Sequence, residues 1–100
     1  MKKLLLLLLL SISLTSSVYA DFDDGLRAAQ NGDFETAYKE WQPLAEQGHA
    51  NAQFALGYMY FIGDGVPQDD EQAIYWHKKA AEQGHIGAQQ ALDEMLKTQQ

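Results

Sequence analysis

Ala45-Glu46-Gln47-Gly48-His49 returns letter for letter as Ala81-Glu82-Gln83-Gly84-His85, and the match continues at the same offset through Ala52/Ala88, Gln53/Gln89, Ala55/Ala91, Leu56/Leu92 and Met59/Met95. The step from Ala45 to Ala81 is a period of 36 residues. Periods of roughly 20 to 50 residues mark chains built by stacking supersecondary units, each too small to bury its apolar face alone. Such a construction favours binding over chemistry. It leaves the identity of the partner unread.

Around this repeat, helical periodicity accounts for nearly all of residues 21–100, with breaks where Gly and Pro fall. The pattern predicts five helices and no strand. The first runs from about Phe22 to Gln30 and ends at Asn31-Gly32. Asp33 caps the second, whose apolar side is Ala37, Tyr38, Trp41, Leu44 and Ala45, with a kink or a tightened final turn expected at Pro43. The third spans about Asn51 to Ile62 and carries Ala52, Ala55, Leu56, Met59 and Tyr60 on one face at i, i+3, i+4, i+7, i+8. A loop, Gly63 to Gln68, leads to the fourth, which starts near Asp69 with Gln72 in a capping-box arrangement and turns Ala73, Trp76, His77, Ala80 and Ala81 inward. The fifth, about Ile86 to Thr98, turns Ala88, Ala91, Leu92, Met95 and Leu96 inward. The fold class is therefore all-α, with antiparallel helix pairs stacked as a short α-solenoid and the alanines allowing close approach. In the fifth helix Gly57, Tyr58 and Phe61 are replaced by Asp93, Glu94 and Lys97, as suits a polar terminal cap.

The N-terminus has another purpose. Met1-Lys2-Lys3, the apolar run Leu4 to Leu10 and the closing Val18-Tyr19-Ala20 have the form of a secretory signal peptide over residues 1–20, with cleavage after Ala20. A retained membrane anchor is the rival, but Ser11, Ser13, Thr15, Ser16 and Ser17 interrupt the run short of the roughly 20 residues needed to span a bilayer. The expected product is a repeat domain over 21–100, periplasmic or secreted, without stable membrane insertion. Loss of Lys2 and Lys3 takes the formal charge from −7 to −9. Only Arg27, Lys39, Lys78, Lys79 and Lys97 then remain as fixed cations, so nucleic acid is not an expected partner. With no cysteine, neither a disulfide nor a lipid on a processed cysteine can contribute, and stability rests on helix packing.

The run Ala52-Gln53-Phe54-Ala55-Leu56-Gly57-Tyr58-Met59-Tyr60, then Gly63-Asp64-Gly65-Val66-Pro67-Gln68-Asp69, then Ala73, Trp76, Lys79-Ala80-Ala81 and Gly84, resembles the Sel-one-like repeat. One full unit stands at roughly Ala50 to Gly84, and the start of another follows. The preceding Asn31-Gly32-Asp33-Phe34, with Ala37, Trp41 and Leu44, looks more like a tetratricopeptide unit. The resemblance covers most of residues 24–98 and implies a right-handed solenoid adaptor that holds a protein or peptide of the cell envelope on its concave face. Some cysteine-rich bacterial relatives are connected with penicillin binding and β-lactam hydrolysis, which supplies the alternative of an envelope hydrolase or β-lactam-binding protein. This chain has no cysteine, and residues 21–100 contain no serine, which rules out a serine-acylating mechanism there.

On the third helix Asn51, Phe54, Tyr58 and Phe61 form a second stripe, rotated away from the core stripe. In repeats of this type Phe54, Tyr58 and Phe61 would face the concave side, where aromatics supply binding energy at little cost in side-chain entropy. Gln90 and Glu94 on the fifth helix, with Lys97, would give a polar wall. The competing arrangement has the first and fifth helices covering the stripe as core. Self-association through the Gly57 and Tyr58 face is a further alternative, as is a marginal domain that becomes ordered only on its partner.

No metal and no cofactor is expected. His49 and His85 are repeat equivalents, which stacking places roughly 10 Å apart, too far to share one zinc ion. Capping or packing suits them better. Asp64, Asp69, Asp70 and Glu71 lack the alternating pattern of a calcium loop and suit the start of the fourth helix. With no G-x-S-x-G and no H-E-x-x-H, no catalytic residue is expected, and Trp41 and Trp76 read as core.

Overall fold

The computed structural model describes residues 18–99. The leader read at residues 1–20 therefore lies outside the described residues, except for its last three. Five α-helices follow one another: α1 (Val18–Gln30), α2 (Phe34–Glu46), α3 (Ala50–Ile62), α4 (Asp70–Glu82) and α5 (Ile86–Thr98). Each packs chiefly on its sequence neighbours, α1 on α2, α2 on α3, α3 on α4 and α4 on α5. That is the expected all-α stack of helix pairs.

One turn design joins three of the four junctions. Gly32, Gly48 and Gly84 take φ of 80°, 100° and 88°, the left-handed region where a side chain would be strained. At the second junction the Gly48 N–H donates to Ala45 C=O and the His49 N–H to Leu44 C=O; at the fourth, Gly84 donates to Ala81 and His85 to Ala80. Both are Schellman closures. The residue after each glycine then starts the next helix. Asp33 accepts from the Thr36 N–H at 3.2 Å, His49 Nδ1 from the Ala52 N–H at 3.2 Å, and His85 Nδ1 from the Ala88 N–H at 3.1 Å. A single Gly-Xaa pair thus ends one helix and caps the next, which keeps neighbours antiparallel and adjacent. Asp33 also accepts from the Thr36 hydroxyl at 2.7 Å, and these bonds hold its carboxyl below the ordinary value.

Several boundaries differ from expectation. Helix α1 begins at Val18, ahead of Phe22, and α3 begins one residue ahead of Asn51, because His49 is the cap. Helix α2 continues through Pro43, whose carbonyl accepts from the Gln47 N–H at 3.1 Å; the tightened bond falls later, at Gly48. The capping box at Asp69 is half formed. Its carboxylate accepts from the Gln72 N–H at 3.2 Å, but its own N–H donates to Tyr60 C=O, so Gln72 has no cap amide to take. Leu96 is 44 % exposed rather than inward, since no sixth helix lies beyond α5 among the described residues.

The core is a strip of small and large side chains along the stack: Ala37, Trp41, Leu44, Ala45, Ala52, Leu56, Met59 and Trp76. Both tryptophans are core, as read. The buried Gln53 side chain is paired across junctions. Gln53 Nε2 donates to Ala45 C=O at 3.0 Å, and Gln83 Nε2 donates to Gln53 Oε1 and Gly48 C=O at 2.9 Å each. The bond recurs one period later, from Gln89 Nε2 to Ala81 C=O at 3.3 Å. The Tyr38 and Tyr60 hydroxyls meet at 2.9 Å between α2 and α3, and partial burial with this contact raises the Tyr60 phenol to about 12.

Helix pairs close over glycine. A methyl group at Gly57 would lie 2.6 Å from His77 Nδ1 and 2.7 Å from Cε1. Gly57→Ala should therefore lower the melting temperature in a circular dichroism melt. Overpacking typically costs about 1–3 kcal/mol, against a gain of about 1 kcal/mol in helix propensity. An unchanged or higher melting temperature would show that the ring can move aside.

Candidate partner-binding groove

The two helix pairs carry the same aromatic arrangement. Phe22 and Gly25 on α1 correspond to Phe54 and Gly57 on α3, while Trp41 corresponds to His77 and His49 to His85. In the first pair Phe22 lies 5.6 Å from Trp41 and 4.9 Å from His49, centroid to centroid. In the second, Phe54 lies 5.4 Å from His77 and 4.6 Å from His85. Each phenylalanine is thus held between the ring of the second helix and the histidine that caps the next helix. Such contacts add to area burial by about 0.5–1.5 kcal/mol per pair.

The copies differ at the central ring. Trp41 donates its Nε1–H to Phe22 C=O at 3.0 Å. His77 is 1 % exposed, and its Nδ1 has no hydrogen-bond partner among the described residues. Burial, with a smaller contribution from nearby His85, pushes His77 down to about 4, so the ring is neutral at ordinary pH. His85 itself is fixed as one tautomer. Its Nδ1 accepts the α5 cap bond, which leaves the proton on Nε2 to be donated to Asn51 Oδ1 at 2.9 Å.

Beside His77 a groove of about 350 Å³ opens between α3 and α5. Tyr58 and Phe61 form its α3 wall, His77 its α4 side, and Ala91, Glu94, Met95 and Thr98 its α5 wall. Tyr58 is 56 % exposed and Phe61 44 %. Ala91, Met95 and the two rings make the lining mostly apolar, with Glu94 its one charged side chain. Clefts of this kind, apolar with few polar groups, are the usual form of a binding site.

Of the six residues singled out from the sequence, the groove brings together Tyr58, Phe61 and Glu94. Phe54 lies inside the aromatic stack, Asn51 is engaged by His85, and Gln90 is exposed on α5 away from the lining. His77, Ala91, Met95 and Thr98 were not singled out. A signal for His77 existed, because the 36-residue period aligns it with Trp41 and so marks a large ring exchanged for a smaller one. His49 and His85 use their Nδ1 lone pairs as caps, which accounts for both without a metal.

Helix pairs stacked in this way, with a repeat of 36 residues and a groove between successive first helices, define a helical-repeat protein. Residues 50–85 match the family model described as the Sel1 repeat, so the chain carries a Sel1 repeat there. It is similar to proteins named exopolysaccharide production negative regulator. The one from Rhizobium leguminosarum bv. viciae is 38 % identical over 71 residues, 71 % of this chain and 27 % of that protein. The one from Rhizobium meliloti (strain 1021) is 33 % identical over 67 residues, 67 % of this chain and 25 % of that protein. The chain thus aligns with only about a quarter of the length of these relatives. Among the described residues no helix is long and apolar enough to cross a membrane.

His77 ties stability to pH. Its folded value near 4 lies below the ordinary 6.5, so the unfolded chain binds the extra proton first as pH falls. The stability is present above pH 6.5, is lost at up to about 1.4 kcal/mol per pH unit as pH drops towards 4, and is gone below that. Urea denaturation of wild type and His77→Leu at pH 7 and pH 4.5 should show a smaller acid loss in the variant. Equal losses would assign the acid sensitivity elsewhere.

Proposed function

We propose that the chain is a protein-interaction module of the bacterial cell envelope that holds a segment of a partner protein in the groove between α3 and α5, acting by binding and not by catalysis. The observation that carries this is the position of Tyr58 and Phe61, two largely exposed aromatics at the mouth of an apolar groove. Tyr75 on α4 is also exposed but does not line the groove, while Trp41, Trp76 and Phe54 are held in the core or in the aromatic stack. An exposed pair of rings beside a concavity is the arrangement that concentrates binding energy in few residues. A regulatory role draws support from the names of the two relatives, both negative regulators of exopolysaccharide production. On this view the module restrains a partner by occupying one of its segments. The envelope location rests on the leader-like residues 1–20, and a protein partner rests further on the acidic balance of the chain.

A crosslinkable residue at Tyr58, with a control at exposed Glu82, tests the proposal in the producing cell. A discrete adduct from position 58 alone is expected, and Tyr58→Ala with Phe61→Ala should abolish capture while leaving the helical circular dichroism unchanged. Equal adducts from both positions, or none, would remove the groove as the site. Fractionation of the same cells should recover a form shortened by 20 residues from the periplasm or medium; a full-length form in the cytoplasm would overturn the location.

A further inference from the structure

We propose that the groove is a vacant ring site, which takes one aromatic side chain of the partner segment, flanked by a lysine or arginine that pairs with Glu94. The inference rests on the groove being a partner site and adds what that site selects. It starts from the comparison of the two helix pairs. In the first, atoms Cδ1 and Cε2 of the Trp41 five-membered ring lie over Gly25, each 2.7 Å from the position of an added methyl carbon. In the second, His77 Nδ1, Cε1 and Cγ lie over Gly57 at 2.6, 2.7 and 2.9 Å from the same position. Each pair thus sets a five-membered ring over its helical glycine, though the two rings turn different edges to it. Trp41 carries a fused benzene ring beyond its pyrrole; His77 carries nothing. The second pair therefore lacks the six-membered ring that the first one buries, and His77 borders the groove.

The surroundings suit a ring. The Met95, Tyr58 and Phe61 side chains are soft, polarisable walls that favour aromatic contact, and Ala91 leaves room. The groove volume of about 350 Å³ is ample for one indole or phenol. Charge decides the flank. Glu94 is the one charged lining group, and its own pair with Lys97 is long, 3.7 Å, with both side chains about three-quarters exposed. Such a pair contributes little and can be exchanged for a partner cation. The formal charge of the whole chain, −7, favours the same sign of partner.

The test uses the full chain without its leader-like residues only if the cell produces that form, and otherwise the chain as it stands. Binding of three probes is followed by NMR at Met95 methyl and the Tyr58 ring: tryptamine (ring and ammonium), indole-3-propionate (ring and carboxylate) and butylamine (ammonium alone). Tryptamine should bind best and butylamine not at all. Glu94→Gln should bring tryptamine and indole-3-propionate together, a loss of about threefold to tenfold for tryptamine that added salt reproduces in the wild type. His77→Trp, which supplies the missing ring from within, should abolish binding of tryptamine and of indole-3-propionate. Ala91→Phe fills the same space from the α5 wall and serves if His77→Trp fails to fold. Tryptamine binding that survives both filled variants, or equal binding of tryptamine and butylamine, would overturn the proposal. In the cell, an adduct at Tyr58 whose partner segment lacks an aromatic residue beside a lysine or arginine would sink this inference while leaving the interaction module standing. Loss of the adduct altogether would remove both.

Discussion

A ring laid flat over a helical glycine holds each pair of helices together. Gly25 under Trp41 and Gly57 under His77 let the second helix approach until aromatic atoms lie where a methyl group would stand. Other rings gather on that contact. The phenylalanine three residues before each glycine rests on the same ring, and the histidine that caps the following helix rests on the phenylalanine. Each such cluster therefore ties a helix pair to the start of the next helix, α1–α2 to α3 and α3–α4 to α5.

The turns make that contact repeatable. A glycine with positive φ followed by Asp33, His49 or His85 closes one helix and opens the next with no spare residue between the two jobs. Short turns fix the angle and spacing of neighbours, so side chains one period apart meet equivalent partners. The longer junction between α3 and α4 departs from this design. There Gly63 ends α3 in the left-handed conformation, and Gly65 sits so close to Phe34 C=O that a side chain at that position would collide with it. This loop packs back on the start of α2 and ties the second unit to the first.

Function in such a stack comes from imperfection in the repeat. Where the first unit has Trp41, hydrogen-bonded and filling its space, the second has His77, with a buried nitrogen left without a partner among the described residues and a groove beside it. A buried polar atom without a partner costs stability. Its presence at the border of the groove, rather than elsewhere in the core, fits a site whose volume is held for another molecule.

Five helices, their caps and the 36-residue step were legible in the chain because they arise from short-range causes: apolar spacing, glycine at helix ends, and Asp or His in reach of the next amide. The inward roles of Trp41, Trp76 and most alanines followed from the same periodicity. The half-formed cap at Asp69 did not, because Tyr60 C=O, nine residues away, takes the amide that the local motif would use. Nor did the separation of one aromatic stripe into a stacked Phe54 and exposed Tyr58 and Phe61. On a helical wheel these residues share a face. Whether a ring on that face is covered depends on the volume of the side chain at position 77 and on where α5 lies across it. The sequence by itself determined the helices and their order; the tertiary structure alone decided where the stack leaves a groove, because exposure is set by the sizes of side chains that meet from three different helices.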